Sequence, residues 1–253
     1  MNLKKIAVAA TLAILFSPLC ANGAGLDTAI KKEKVIDRIK QFKIRSVTHY
    51  IYDYENGCAY KSYLYEYDRA GNPVRSMAYN HDRTVREESV YKQENEKYIS
   101  GVEYTSNKNV SRRTIYKYDD FNNIIELERY GPGDRLDGKT VFRMNFDENT
   151  VDEITYDAAG KISSKKSLLY RCDSRGNVIE KTSYGTNGRV EDRNVFKYDG
   201  KGHVEKANRF DRSGASSTQS YQYDENGNVV FIVNRDEKGA MVSAIKTVYT
   251  YYR

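Results

Sequence analysis

One eight-residue unit recurs along this chain: an aromatic, any residue, an aromatic, Asp, two variable residues, then Gly-Asn. Strong copies stand at Tyr65–Asn72 (YEYDRAGN), Tyr116–Asn123 (YKYDDFNN), Tyr170–Asn177 (YRCDSRGN), Phe196–His203 (FKYDGKGH) and Tyr221–Asn228 (YQYDENGN). Weaker copies lie between them: Tyr156-Asp157 with Gly160, Tyr184 with Gly188, Phe210-Asp211 with Gly214, and Asp236 with Gly239. From Cys172 the aromatic slot recurs at Tyr184, Tyr198, Phe210, Tyr223 and Arg235, in steps of 12 to 14 residues. A strand of about seven residues followed by a turn of four or five consumes that spacing, so the chain reads as tandem β-hairpins.

The turn chemistry follows from the residues. In the strong copies Asp68, Asp119, Asp173, Asp199 and Asp224 open the turn, where a carboxylate accepts the amide two residues on. Gly71, Gly176, Gly202 and Gly227, three places later, supply positive φ, and Asn122 fills that slot in the one copy without glycine. This is the pattern of a type I turn closed by a glycine bulge, a common hairpin loop whose bulge adds twist.

Period two then assigns the faces. Tyr65 with Tyr67, Tyr116 with Tyr118, Phe196 with Tyr198, and Tyr221 with Tyr223 each share one side of their strand. Stacked across hairpins they form aromatic ladders, each pair contributing about 0.2–1 kcal/mol. With 30% charged residues, 23 Tyr and no Trp, the apolar area is mostly phenol rings that keep one edge wet. The expected fold is all-β: an extended, twisted antiparallel meander sheet. The same eight rings are the candidate ligand face, since aromatic faces stack on sugar rings.

The ends differ from the array. Lys4 and Lys5, the apolar run Ile6–Phe16 and the small residues up to Ala24 read as a signal peptide, residues 1–23. That run is too short for a membrane span of about 20 residues, so no transmembrane segment is expected after its removal. Lipid attachment at Cys20 is disfavoured by Leu19, which stands where a small residue belongs. Ala29, Ile30, Val35, Ile36, Ile39 and Phe42 fall at helical spacing and predict a short N-terminal helix within residues 24–45, capping the first strand edge. The array occupies 46–253, its first strand at Val47–Tyr54, with Gly131–Asp134 as a longer surface loop.

Chemistry-bearing motifs are sparse. Net charge is +6, falling to +4 without Lys4 and Lys5 and forming no basic block, which argues against nucleic acid. His49, His81 and His203 sit in separate repeats with no HExxH spacing, and no GxSxG occurs. Asp224–Asn228 lacks the remaining ligands of a calcium loop, and Gly131 with Gly133 lacks the helix and lysine of a phosphate loop. Cys58 and Cys172 stand far apart, outside any metal-ligand spacing, and Cys172 fills a packing slot. No cofactor is expected. A hydrolase would require carboxylates converging from several repeats.

The recurring YxYDxxGN unit resembles the tyrosine-aspartate (YD) repeat of Rhs-type proteins, from about Tyr50 onward. That resemblance implies the strand–turn architecture and is nearly silent on activity. In large members such repeats form a β-shell around a toxin, and related animal proteins are adhesion molecules. This chain is short and has no recognisable toxin domain, so enclosure of a cargo is not carried over. The expectation is a non-enzymatic secreted or periplasmic protein of the cell envelope, binding a protein or a glycan. A toxin-neutralising partner is the alternative.

Overall fold

The computed structural model describes residues 39–54, 57–95, 98–105, 107–119 and 124–253. Among these, sixteen strands follow one another: β1 (Ile44–Asp53), β2 (Cys58–Tyr67), β3 (Pro73–Tyr79), β4 (Val85–Asn95), β5 (Tyr98–Thr105), β6 (Val110–Tyr118), β7 (Ile124–Tyr130), β8 (Leu136–Asn145), β9 (Thr150–Asp157), β10 (Ile162–Cys172), β11 (Val178–Tyr184), β12 (Val190–Tyr198), β13 (Val204–Asp211), β14 (Ser216–Tyr223), β15 (Val229–Arg235) and β16 (Met241–Tyr251). Each pairs antiparallel with its successor, and β16 pairs with β1 through Val47↔Tyr249, His49↔Thr247 and Ile51↔Ile245. The sheet is therefore a closed barrel, which corrects the expected extended meander. Register shifts recur near the hairpin ends, as at Glu66/Tyr67, Arg171/Cys172, Lys197/Tyr198 and Gln222/Tyr223. Each bulge bends its strand and adds twist, and closure removes both free edges.

The alternation of strong and weak copies is the alternation of barrel ends. The turns after Tyr67, Cys172, Tyr198 and Tyr223 lie at one end, here the Tyr-Asp end; those after Tyr79, Tyr156, Tyr184, Phe210 and Arg235 lie at the opposite end. At both, the amide opening the turn bonds the carbonyl four residues on and the amide three residues on bonds back to its carbonyl, as in Asp68 N to Asn72 O, 2.9 Å, and Gly71 N to Asp68 O, 3.0 Å; Asn80 with Arg83 and Gly185 with Gly188 fill these slots in the turns after Tyr79 and Tyr184. What distinguishes the strong copies is the residue after glycine. The Asn72, Asn177 and Asn228 amides donate to the Asp Oδ1 at 2.8 Å, and their side-chain Nδ2 groups donate to Oδ2 at 3.1, 2.9 and 3.0 Å. The weak copies place Lys161, Ala215 or Ala240 there and keep only the backbone bond. Asn177 and Asn228 are buried, so a fully bonded amide is required at that end. Asp119 is described; Asn122 lies outside the described residues.

Gly202 isolates the cost of the turn backbone. Its φ is +83° and an added Cβ meets nothing within 4 Å. Gly202→Ala is expected to cost about 1–2 kcal/mol from backbone conformation alone. Gly200→Ala, which also opens onto empty space but without positive φ, is expected to be near neutral. Urea midpoints of the two variants check this.

Pairing and period two divide the side chains into two faces. Leu168, Val151, Val204 and Val47 are at most 2% exposed and lie on the same face as Tyr67, Tyr118, Tyr170, Phe196 and Tyr221. In a single closed sheet only the concave side hides side chains this fully, so this face is the inner one. The outer face carries cross-strand ion pairs, Arg75–Glu88 (2.7 Å) and Arg193–Glu180 (2.9 Å) at mid-strand and Lys117–Glu126 (2.6 Å) nearer the Tyr-Asp end. Cations also cover outer aromatics, Arg113 over Tyr130 and Lys61 over Tyr79.

Of the expected helix only residues 39–41 are described as helical; the signal peptide, Cys20 and the rest of that helix lie outside the described residues. Ile39 packs against Ile44, Val47 and Tyr67, with Phe42, Tyr65 and Tyr249 around them. This segment therefore covers the inner face at the Tyr-Asp end. The edge of β1, which the helix was expected to cap, is taken by β16. β1 starts at Ile44, earlier than expected, and Gly131–Asp134 is a tight connection containing a 3-10 turn at Pro132–Asp134 rather than a longer loop. No helix among the described residues is long and apolar enough to cross a membrane.

Candidate functional site on the inner wall

All eight candidate aromatics lie on the inner face. Tyr67, Tyr118, Phe196 and Tyr221 are buried; Tyr65, Tyr116, Tyr198 and Tyr223 are half-buried. Burial pushes the Tyr65, Tyr67, Tyr116 and Tyr118 phenols well above their ordinary value, so they remain neutral hydroxyls. Two of the eight are committed to the wall, together with Tyr249 of β16: Tyr198, Tyr223 and Tyr249 donate to the carbonyls of Val178, Val204 and Val229 at 2.7–2.9 Å. These carbonyls sit where a bulge starts each strand at the Tyr-Asp end, and the phenols satisfy them. Cys172 packs against the same core cluster, and both Cys58 and Cys172 are free thiols. A ligand for these rings has to enter the barrel.

Midway along the inner wall the character changes. Register places Arg129 opposite Gly138, Thr140 opposite Thr155, Glu153 opposite both Phe142 and Lys166, and Lys181 opposite Tyr170. Arg129 donates to Thr140 Oγ1 (2.9 Å), which lies 3.1 Å from Thr155 Oγ1. Lys166 reaches Glu191 at 3.6 Å. Lys181 is buried, unusual for a lysine. Glu153 carries a buried oxygen, Oε2, with no hydrogen-bond partner. Burial pushes its carboxyl up, against the pull of Lys166, Arg129 and Lys181. Three cations on neighbouring strands thus act on one carboxylate, Lys166 directly across from it, and its ionised form is only partly compensated.

Two histidines gain surroundings that their spacing did not indicate. His49 is buried on the inner face, its Nδ1 3.0 Å from Thr247 Oγ1 across the seam, with its ring edge-on to Tyr65. Burial pushes its imidazole down to about 4. His81, in the β3–β4 turn, meets Asp53 and Cys58, the one group of mixed metal-ligating side chains gathered among the described residues.

The polar wall residues escaped the sequence reading because their pattern is split between strands. Lys166 shares parity with Leu168 and Tyr170, a visible sign that it faces the core. Lys181 joins them only through the β10–β11 register, which the bulge at Arg171/Cys172 displaces.

Neither a protein-family model nor a curated relative matches the chain. Among solved structures it is similar to a porin-like protein from Bacteroides vulgatus, 14% identical with a TM-score of 0.51, covering 83% of this chain and 98% of that one. A porin-like protein from Bacteroides uniformis is 9% identical with a TM-score of 0.54, covering 83% and 97%. At these identities the likeness concerns the fold. It overturns the resemblance to YD-repeat Rhs-type proteins: the hairpins compose one closed barrel, matched nearly end to end by porin-like chains.

Proposed function

We propose that this protein is a non-catalytic binding protein of the cell envelope that takes an acidic glycan against the inner wall of its barrel. The observation that carries this reading is the group of Arg129, Lys166 and Lys181 around Glu153, on a concave wall also lined by Thr140, Thr155 and phenol rings. The cations supply charge-assisted bonds to a sugar carboxylate or phosphate. The half-buried Thr155 hydroxyl matches sugar hydroxyls, and the half-buried rings offer stacking faces. A glycan is favoured over a protein partner because the polar groups face inward, out of reach of a folded domain. The outer face supports a water-soluble barrel: charged pairs at mid-strand are costly where a membrane-spanning barrel needs an apolar band.

Calorimetric titration of the mature protein with neutral and anionic envelope glycans tests the proposal. Anionic glycans are expected to bind, and Lys166→Ala combined with Arg129→Ala to weaken them at least about tenfold, the loss of a charge-assisted bond of roughly 1.5–3 kcal/mol. Binding that survives this change but falls on altering outer Arg75 and Arg193 would sink the inner-wall reading. Retention of one protein with no glycan would favour a neutralising partner instead.

A further inference from the structure

We propose that Asp53, Cys58 and His81 form a binding site for a divalent transition metal of the zinc type, at the opposite end of the barrel from the Tyr-Asp turns. Asp53 and Cys58 face each other across the last pair of β1 and β2, and His81 comes from the β3–β4 turn. β2 pairs with β3, so the two connections are neighbours on the rim. The ligand atoms of all three side chains lie within 4.8 Å of one another. Cys58 Sγ stands 3.3 Å from His81 Nε2. Two tetrahedral ligands at ordinary Zn–S and Zn–N lengths lie about 3.5 Å apart, so little movement is needed.

The donor set selects the class of metal. Thiolate and imidazole suit zinc and its borderline neighbours, whereas calcium and magnesium require oxygen donors. The Tyr60 ring lies 4.2 Å from the His81 ring and holds it over Cys58. On binding, the Cys58 S–H bond breaks, the sulfur pair forms the metal bond and the proton passes to solvent. A thiolate and a carboxylate then balance the dication. Three protein donors leave a coordination position for water or an external ligand.

Cobalt(II) titration of the reduced mature protein provides the test. A single equivalent is expected to produce a thiolate-to-cobalt charge-transfer band together with tetrahedral ligand-field bands, both abolished by zinc. Cys58→Ser should remove the charge-transfer band while Cys172→Ser leaves it. His81→Ala and Asp53→Asn should weaken zinc binding beyond the roughly 10- to 100-fold that loss of a supporting partner costs. If Cys58→Ser fails to fold, alkylating Cys58 in the folded Cys172→Ser protein serves the same purpose. The proposal is overturned by absence of the band, by a band that survives loss of Cys58, or by calcium binding as tightly as zinc.

Discussion

Cysteines introduced at Ser46 and Thr250, in a chain carrying Cys58→Ser and Cys172→Ser, are expected to oxidise to an intramolecular disulfide and stabilise the barrel by up to about 5 kcal/mol. The two hydroxyls are 2.7 Å apart across the β1–β16 seam although 204 positions separate them in sequence. Cross-linking so long a loop removes a large part of the unfolded chain's freedom, which sets that figure as an upper bound. The pair is also specific to closure. In an open sheet of sixteen strands spaced about 4.8 Å apart, the first and last would stand roughly 70 Å from each other. Non-reducing electrophoresis should show a faster monomer, and denaturation with and without reductant should show the stabilisation. Cross-linked dimers in place of that monomer would mean that β1 and β16 are free edges.

This seam is also where sequence reasoning reached its limit. Strand periodicity, the Asp–Gly turns and the shared face of Tyr65 with Tyr67 are local and were readable, because each depends on residues within one hairpin. Closure depends on a bend accumulated over every hairpin and on a match between Ile44–Asp53 and Ser243–Tyr251 that no short window contains. The alternation of strong and weak copies was visible, yet its meaning required the barrel. Asn177 and Asn228 sit at the end whose inner side is packed, while Ala215 and Ala240 turn at the exposed end.

The site divides in the same way. The rings were found because they belong to the repeat; Glu153, Lys166 and Lys181 were not, because they break it. Glu153 and Lys166 are charged residues at positions whose parity assigns them to the core, Lys181 joins them through the β10–β11 register, and such local conflicts concentrate where a protein binds something. The meeting of Asp53, Cys58 and His81 needed two adjacent turns, so spacing along the chain carried no sign of it.

His49 makes the barrel sensitive to mild acid. Desolvation lowers its imidazole from the ordinary 6.5 to about 4, so the folded protein stays neutral at this position where an unfolded chain takes up a proton. Above pH 6.5 neither state is protonated there and the stability is complete. As pH falls from 6.5 to about 4 the unfolded state binds the extra proton, and stability declines by about 3 kcal/mol from this group. Glu103 and Glu153, whose carboxyls burial pushes up, act in the opposite direction, since the folded state takes their protons first. The informative quantity is therefore the difference between the wild type and His49→Gln, which retains an amide for Thr247 and does not titrate. Urea midpoints measured from pH 7.5 to 4.5 should fall more steeply for the wild type, with the gap developing across the 6.5-to-4 window. Parallel profiles would mean that water or a rearranged seam already solvates the imidazolium, and the tight β1–β16 packing around His49 would have to be abandoned.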